Sequence, residues 1–413
     1  MLGGENVIQG EISGLQEGLT AGKFQGCIKA CVILRKPFLR LEIFTLCKYY
    51  KPAKGKRGNI MSALEALKTV ILFMSKINKR AMVVILSCFI LLNIQAVSAT
   101  NVATSSELYD ALDTGEDEIN LTANIDVAQD LDPTIPNLAS DIKLTGTGYG
   151  WTLNGQGIHG GLSLSVDNVA GLTIGDRLSF ENFKSSSYGA AIHSIFSSIS
   201  TTDIDRTINI GDGARFISNQ AVGYGGAIYN FVDGTTVTGA ITNSLNIGDS
   251  VIFSGNTSGD AGGAIYNSVD GTTVTGNMTN SLNIGENVIF SYNTDSFLGG
   301  GAIYNYLSLR YGENGSSTIS VGDGAQFADN QAEGNGGAIY NFVYGSNVSG
   351  DMIDILNIGE NVRFSDNASG VSGGAIYNYL SLSDGENGSS TINIGNRTQF
   401  IDNQVAGSGG AIY

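Results

Sequence analysis

The back two-thirds of this 413-residue chain returns to isoleucine every 18 or 19 residues: Ile174, Ile192, Ile210, Ile228, Ile247, Ile265, Ile284, Ile303, Val321 (the one exception), Ile339, Ile358, Ile376, Ile394 and Ile412. Self-similarity at a fixed period marks a solenoid, whose units are too small to bury their own apolar face and do so by stacking on their neighbours. In such a chain, function is sought on a surface.

Two kinds of segment alternate. The first surrounds a short strand such as Thr207-Ile208-Asn209-Ile210-Gly211, with Phe216 six residues after the isoleucine and Asn219 nine after it. The same offsets recur at Phe253 and Asn256, Phe290 and Asn293, Phe327 and Asn330, Phe364 and Asn367, and Phe400 and Asn403, while Phe180 keeps only the first. The second is Gly225-Gly226-Ala227-Ile228-Tyr229-Asn230, repeated from Gly262-Gly263, Gly300-Gly301, Gly336-Gly337 and Gly373-Gly374, with a degraded copy at Gly189 to Ser194 and a truncated one at Gly409 to Tyr413. Side chains alternate faces along a strand, so Ile208, Ile210 and Ile228 are expected to point inward, away from Asn209 and Tyr229. β-Branched residues stack well on their own kind, and glycine permits positive φ at the corners. The pattern predicts an all-β fold, a right-handed parallel β-helix of 18–19-residue coils with an N-terminal cap; leucine-rich repeats fit less well, because the helical half is missing. Thirteen steps of about 4.8 Å would make the isoleucine stack roughly 60 Å long. The repeated Phe and Asn are expected to be core and amide ladder before they are a binding code.

The first 99 residues differ in kind. They hold fourteen of the 22 Lys/Arg but only five of the 38 Asp/Glu, leaving eight basic against 33 acidic residues in the remainder. They also hold all four cysteines, Cys27, Cys31, Cys47 and Cys88. Lys76, Lys79 and Arg80, the apolar run Ala81 to Leu92 and the small residues Val97-Ser98-Ala99 read as a secretory signal, so 74–99 is expected to be a signal peptide and Thr100 the first mature residue. Residues 1–73 are expected to be an upstream extension, with Met74 or Met61 as the true start. The apolar run is about a dozen residues, short of the roughly twenty a spanning helix needs. A cysteine-free mature region draws its stability from stacking, not disulfides. Its acidity argues against nucleic acid as a partner, since that demands clustered Lys/Arg. Within 100–170, Thr104 to Glu107 is a capping box opening a helix at Ser106 to Leu112, followed by alternating residues at Glu118 to Leu121 and Ile125 to Val127. These are expected to form the cap and first irregular coils, with regular repeats over 171–413. The chain stops inside a GGAIY motif, so a longer protein is expected.

Tandem GGAI segments alternating with F-x-x-N segments, as in Phe216-Ile217-Ser218-Asn219 followed by Gly225-Gly226-Ala227-Ile228, resemble the repeats of the chlamydial polymorphic outer-membrane proteins. The resemblance covers about residues 170–413. It implies a secreted, surface-exposed autotransporter passenger at the cell outer membrane, acting as an adhesin toward a cell-surface receptor or polysaccharide. It further implies an outer-membrane β-barrel in a missing C-terminal part. The family associates adhesion with the two motifs, here Phe216, Asn219, Gly225, Gly226, Ala227, Ile228 and their copies.

On physical grounds the better candidates for contact are groups expected to be exposed: the tyrosine row Tyr229, Tyr266, Tyr304, Tyr340 and Tyr377, and the inserts Phe231 to Thr242, Ser268 to Thr279, Tyr306 to Ser317, Phe342 to Ile353 and Tyr379 to Ser390. Two alternatives stay open. One is a polysaccharide-acting enzyme of pectin-lyase-like fold, which needs paired carboxylates or a carboxylate-bound cation with an Arg or Lys base. Mature Lys143, Arg177, Lys184, Arg206, Arg215, Arg310, Arg363 and Arg397 are scattered along the sequence, and Asp249, Glu286, Asp323 and Glu360 line up as corner acceptors, so no enzyme is expected. The other is a structural stalk or self-associating layer. No cofactor or metal is expected: the calcium nonapeptide pattern is absent, Cys27 and Cys31 lack partners at ligand spacing, and His159 and His193 are expected at the surface.

Overall fold

Each repeat contains two stretches in which apolar and polar residues alternate with period two, and both become strands because β-branched side chains on one face can be buried while the other face meets solvent. The computed structural model describes residues 99–131, 141–147, 150–165, 171–200, 202–384 and 387–413. The expected extension, the expected signal peptide apart from Ala99, and the four cysteines lie outside the described residues.

The fold is a parallel β-solenoid with four sheets. A ten-stranded sheet A and a seven-stranded sheet C carry the long strands; a nine-stranded sheet B and a seven-stranded sheet D carry short ones. One coil visits A, B, D and C in turn, as in Ile241–Ile247, Ile252–Ser254, Thr257–Ser258 and Ile265–Val274. Every strand pairing is parallel to the strand one coil away, as Ile241–Ile247 is to Met278–Ile284.

The coil is therefore twice as long as the repeat period suggests. Ile228 pairs with Ile265 in sheet C, whereas Ile247 pairs with Ile210 and Ile284 in sheet A. The single column expected from the sequence is two columns of seven, facing one core from opposite sheets. Each column is six steps long, about 29 Å instead of 60. The physical reason lies in the half-repeats: a 37-residue register puts Phe216 over Phe253 and Tyr229 over Tyr266, while an 18-residue one would put like on unlike. Isoleucine stands at the inner position of both strands, so it hides the difference.

The inserts are also not loops. Phe231 to Val237 extends the sheet C strand Ile228–Val237, and the chain turns over three residues into Ile241–Ile247 of sheet A. Their inward residues build a second apolar core of Phe196, Ile204, Val232, Val237, Ile241, Val269, Val274, Met278, Leu307, Leu309, Val343, Val348 and Met352.

At the front, Thr100–Val102 is the edge strand of sheet A and pairs with Glu118–Leu121. Helix α1, Ser105–Asp113, lies between them in sequence and starts with the expected capping box: the Thr104 side chain accepts from the Glu107 amide, and the Glu107 carboxylate accepts from the Thr104 amide. Its Leu108, Ala111 and Leu112 join the same core as Ile119 and Leu121.

Candidate functional site

The motif residues sit where the fold is tightest. Phe180, Phe216, Phe253, Phe290, Phe327, Phe364 and Phe400 form a stack with ring centroids 4.7–5.2 Å apart and planes within 3–7° of parallel. Two residues on, the chain passes through positive φ at Ser218, Gly255, Tyr292, Asp329 and Asp366, and the next residue, the asparagine, is presented inward. Each asparagine joins three coils. Asn256 Nδ2 donates to the Phe216 carbonyl at 3.0 Å and to Asn293 Oδ1 at 2.9 Å, and its backbone N–H donates to that same Oδ1 at 3.1 Å. The pattern repeats through Asn219, Asn293, Asn330 and Asn367, all fully buried.

The GGAI corner is equally closed. Gly225 has φ 65°, and a Cβ on Gly226 would collide with the Gly263 carbonyl of the next coil. Ala227 and Ile228 are fully buried, as are the copies of Gly262, Gly263, Gly336, Gly337, Gly373 and Gly374 within their coils. The motif residues are thus core and ladder, as their spacing predicted.

A second polar row went unread. Asn230, Asn267, Asn305, Asn341 and Asn378 of sheet C face Asn243, Asn280, Ser317, Asp354 and Ser390 of sheet A. Asn230 Nδ2 donates to Asn243 Oδ1 at 2.9 Å and to Asn267 Oδ1 at 2.8 Å; Asn305 Nδ2 donates to Ser317 Oγ at 2.8 Å. This seam separates the main core from the second one. The signal was present: Asn243 lies between Ile241 and Leu245 at inward positions, in period with Ile247. At the seam's front end Arg206, only 2% exposed, donates from Nη2 to Ser194 Oγ at 2.7 Å and lies 5.9 Å from the Phe196 ring centroid. Loss of solvation lowers its pKa to about 10, against the raising effect of Asp141.

The tyrosine row exists but is not exposed. Tyr229, Tyr266, Tyr304, Tyr340 and Tyr377 stand in register on the outer face of sheet C, and the first four are only 5–9% exposed. Tyr188 stacks on Tyr229 at 4.9 Å and Tyr224 packs on Tyr266 at 4.8 Å, so the corners preceding Gly189 and Gly225 fold over the front of the row. Burial drives the Tyr229, Tyr266 and Tyr304 hydroxyls well above their usual range and Tyr340 up to about 12. Beside the row, the next column brings aromatic groups to solvent, half-buried Phe231, Tyr306 and Phe342 and exposed Tyr379; Tyr311 in the same sheet and Tyr292 and Phe297 at other corners are exposed as well.

Sheet A presents the opposite chemistry on its outer face, where Asn246 Nδ2 donates to Asn209 Oδ1 and Asn283 Nδ2 to Asn246 Oδ1, both at 2.9 Å. At the following corner the aspartates of the carboxylate row are the expected acceptors: Asp212, Asp249 and Asp323 accept from the backbone N–H of Asp249, Glu286 and Glu360, one coil on, at 2.7–2.9 Å, whereas the Glu360 carboxylate accepts from the Asn396 side chain. His193 takes the tyrosine position, half-buried with its ring 5.4 Å from Tyr229, and half-buried His159 lies 3.6 Å from an Asp130 oxygen. Among the described residues no three His, Cys, Asp or Glu side chains converge as metal ligands, and no helix is long and apolar enough to cross a membrane.

Buried motif residues, two amide ladders and chemically distinct outer faces define a parallel β-solenoid repeat protein. The profile of the Chlamydia polymorphic membrane protein repeat matches the chain four times, at residues 250–268, 324–341, 361–379 and 397–413. The chain carries that family's repeat at these four places. Each match runs between a corner of one sheet and the next, covering about half a coil. No curated protein and no solved structure matches the chain significantly.

Proposed function

We propose that this solenoid is the surface-exposed passenger of an autotransporter of the outer membrane, and that it acts as an adhesin by binding and not by catalysis. The family repeats and the rigid β-solenoid fit such a passenger. The observation that carries the binding role is the outer face of sheet C, where Phe231, Tyr306, Phe342 and Tyr379 offer solvent-reaching aromatic surface on a backing of buried tyrosines. Aromatic groups with one apolar and one polar end are favoured in protein interfaces. The motif residues serve this face indirectly, by holding its strands in register.

The test is adhesion of beads coated with the full chain to cultured animal cells. Replacing Phe231, Tyr306 and Phe342 together with serine should reduce adhesion about tenfold or more, since anchors of this kind dominate interface energy. A Ser244→Ala/Ser281→Ala control on sheet A should leave it unchanged. Undiminished adhesion by the triple variant, with its circular dichroism intact, would remove sheet C as the contact face.

A further inference from the structure

The eight basic residues beyond residue 99 are scattered in sequence, yet the coil brings two of them to one place. Gln326, Arg363 and Gln399 are consecutive register partners on the outer face of sheet B. Gly324, Asn361 and Arg397 occupy the corner two residues earlier in the same three coils, each with positive φ, at 70°, 56° and 60°. Together these six residues line an open depression of about 400 Å³.

We propose that this depression binds an acidic sugar, with Arg363 and Arg397 gripping its carboxylate or sulfate and Gln326, Asn361 and Gln399 meeting the neighbouring hydroxyls. Both guanidiniums are exposed, and among the described residues neither has a carboxylate within salt-bridge distance. Arginine's planar fork matches such oxyanions. At five of the other six coils this corner carries Gly213, Ser250, Asn287, Gly324 or Asn361, residues with small side chains; Arg397 at φ 60°, like Arg177 at φ 59° in the front coil, holds positive φ there with a long one.

Two features narrow the ligand. The carboxylate row Asp212, Asp249, Glu286, Asp323 and Glu360 runs along the adjacent corner and gives way to Asn396 beside Arg397. It repels a polyanion laid along the solenoid, so the site suits one isolated acidic residue. The lining holds no apolar or aromatic side chain, which disfavours an acidic protein segment, because protein interfaces need a desolvated apolar centre. Amides that both donate and accept suit sugar hydroxyls. This site stands apart from the aromatic face of sheet C, and either can exist without the other.

The experiment is saturation-transfer NMR on the full chain with N-acetylneuraminic acid, galacturonic acid, glucosamine 6-sulfate and, as the neutral control, N-acetylglucosamine. Binding of one or more acidic sugars, weakened by salt and reduced about tenfold or more by Arg363→Gln/Arg397→Gln, supports the proposal. Arg177→Gln/Arg215→Gln, a pair at the other end of the same face, should leave it unchanged. The carboxylated and sulfated arms show which anion is taken. Equal binding of free acetate or sulfate, tighter binding of a glutamate peptide, or indifference to the Arg363/Arg397 changes would overturn it. Cell adhesion without sugar binding would overturn this site and leave the adhesin reading standing.

Discussion

Two amide ladders run through this solenoid; one varies along its interior, while the other gives way only at its front end, where Phe183 takes the asparagine position. The corner ladder is asparagine at Asn219, Asn256, Asn293, Asn330, Asn367 and Asn403. The seam ladder, in contrast, carries Arg206, Ser317, Asp354 and Ser390 in the same column as Asn243 and Asn280. The difference follows from what the amides touch. In the corner the strand pattern breaks, and asparagine alone supplies both an acceptor to the previous coil's backbone N–H and a donor to the previous coil's carbonyl. In the seam the sheets already satisfy the backbone, and the amides bond mostly to one another, so any complementary pair will serve.

Breaking the corner ladder at its centre should have the largest effect. Asn293→Ala removes two bonds that Oδ1 accepts from Asn256 and two that Nδ2 donates, leaving the Asn256 amide and the Phe253 carbonyl buried and unpaired. With each orphaned group costing ~1–3 kcal/mol, the loss should be about 3–5 kcal/mol. The shift of the urea midpoint measures it, and hydrogen exchange should localise it to the coils on either side. A loss under about 1 kcal/mol would mean that water or a backbone shift replaces the ladder.

The matching change in the seam should be far milder. Asn267→Ser keeps a hydroxyl facing Asn280 and Asn305, and the protein already uses serine this way at Ser317, which accepts from Asn305 at 2.8 Å. We expect a loss of about 1 kcal/mol in the same urea assay. Equal losses for Asn267→Ser and Asn293→Ala would erase the distinction between the ladders.

This contrast also explains what the sequence made legible. The corner ladder and phenylalanine stack were readable because six and nine are fixed offsets from a column that is isoleucine everywhere but Val321. The seam was not singled out, because its column changes identity from Arg206 to Asn243 to Ser317 to Asp354 and shows no repeat of its own. Coil length was misread for the converse reason: Ile228 and Ile247 are identical but belong to facing sheets. The tyrosine row stands in the expected register but out of solvent, since Tyr188 and Tyr224, which cover its front, lie in corners outside the repeated motif, and its later members are covered by one another and by Tyr306 and Phe342. The pairing of Arg363 with Arg397 needed the 37-residue register, which juxtaposes positions 34 apart.

A third comparison sets the outer aromatic row against its neighbours. Tyr304→Ser opens a gap among Tyr266, Tyr306 and Tyr340, with ring centroids now 4.7–6.3 Å from it. Because the ring is packed on one side of a sheet and not in the main core, the loss should be about 2 kcal/mol, below the 3–5 kcal/mol usual for deleting a core aromatic such as Phe290. Parallel urea titrations of Tyr304→Ser and Phe290→Ala decide the order.

An effect as small as that of Asn267→Ser, but of opposite sign, should come from the one carboxylate that sheet D buries among the described residues. Its inner column runs Ser185, Ala221, Ser258, Asp295, Ala332, Ser369 and Val405, so Asp295 is the only charge in a row of small or apolar residues. Its Oδ2 accepts from Gly299 N at 2.7 Å and Phe297 N at 3.1 Å, and its Oδ1 from Ser258 Oγ at 3.1 Å. Desolvation outweighs these donors and lifts its pKa to about 7. Between the ordinary value of about 4 and 7, the folded protein keeps a proton that the unfolded chain has released, so stability falls as pH rises through that window. An asparagine in its place would carry no such penalty: its carbonyl can keep the two backbone donors, and the Ser258 hydroxyl can turn to accept its amide. Asp295→Asn should therefore stabilise the protein at pH 8 by about 1 kcal/mol, the linkage gain being partly offset by weaker bonds than a carboxylate makes, and should be neutral near pH 4. Thermal melts of both proteins across that range test the sign. A variant that gains nothing at pH 8 would show that the donors of the Asp295–Gly299 corner, set in place for a charge, stabilise the ionised form fully despite its burial.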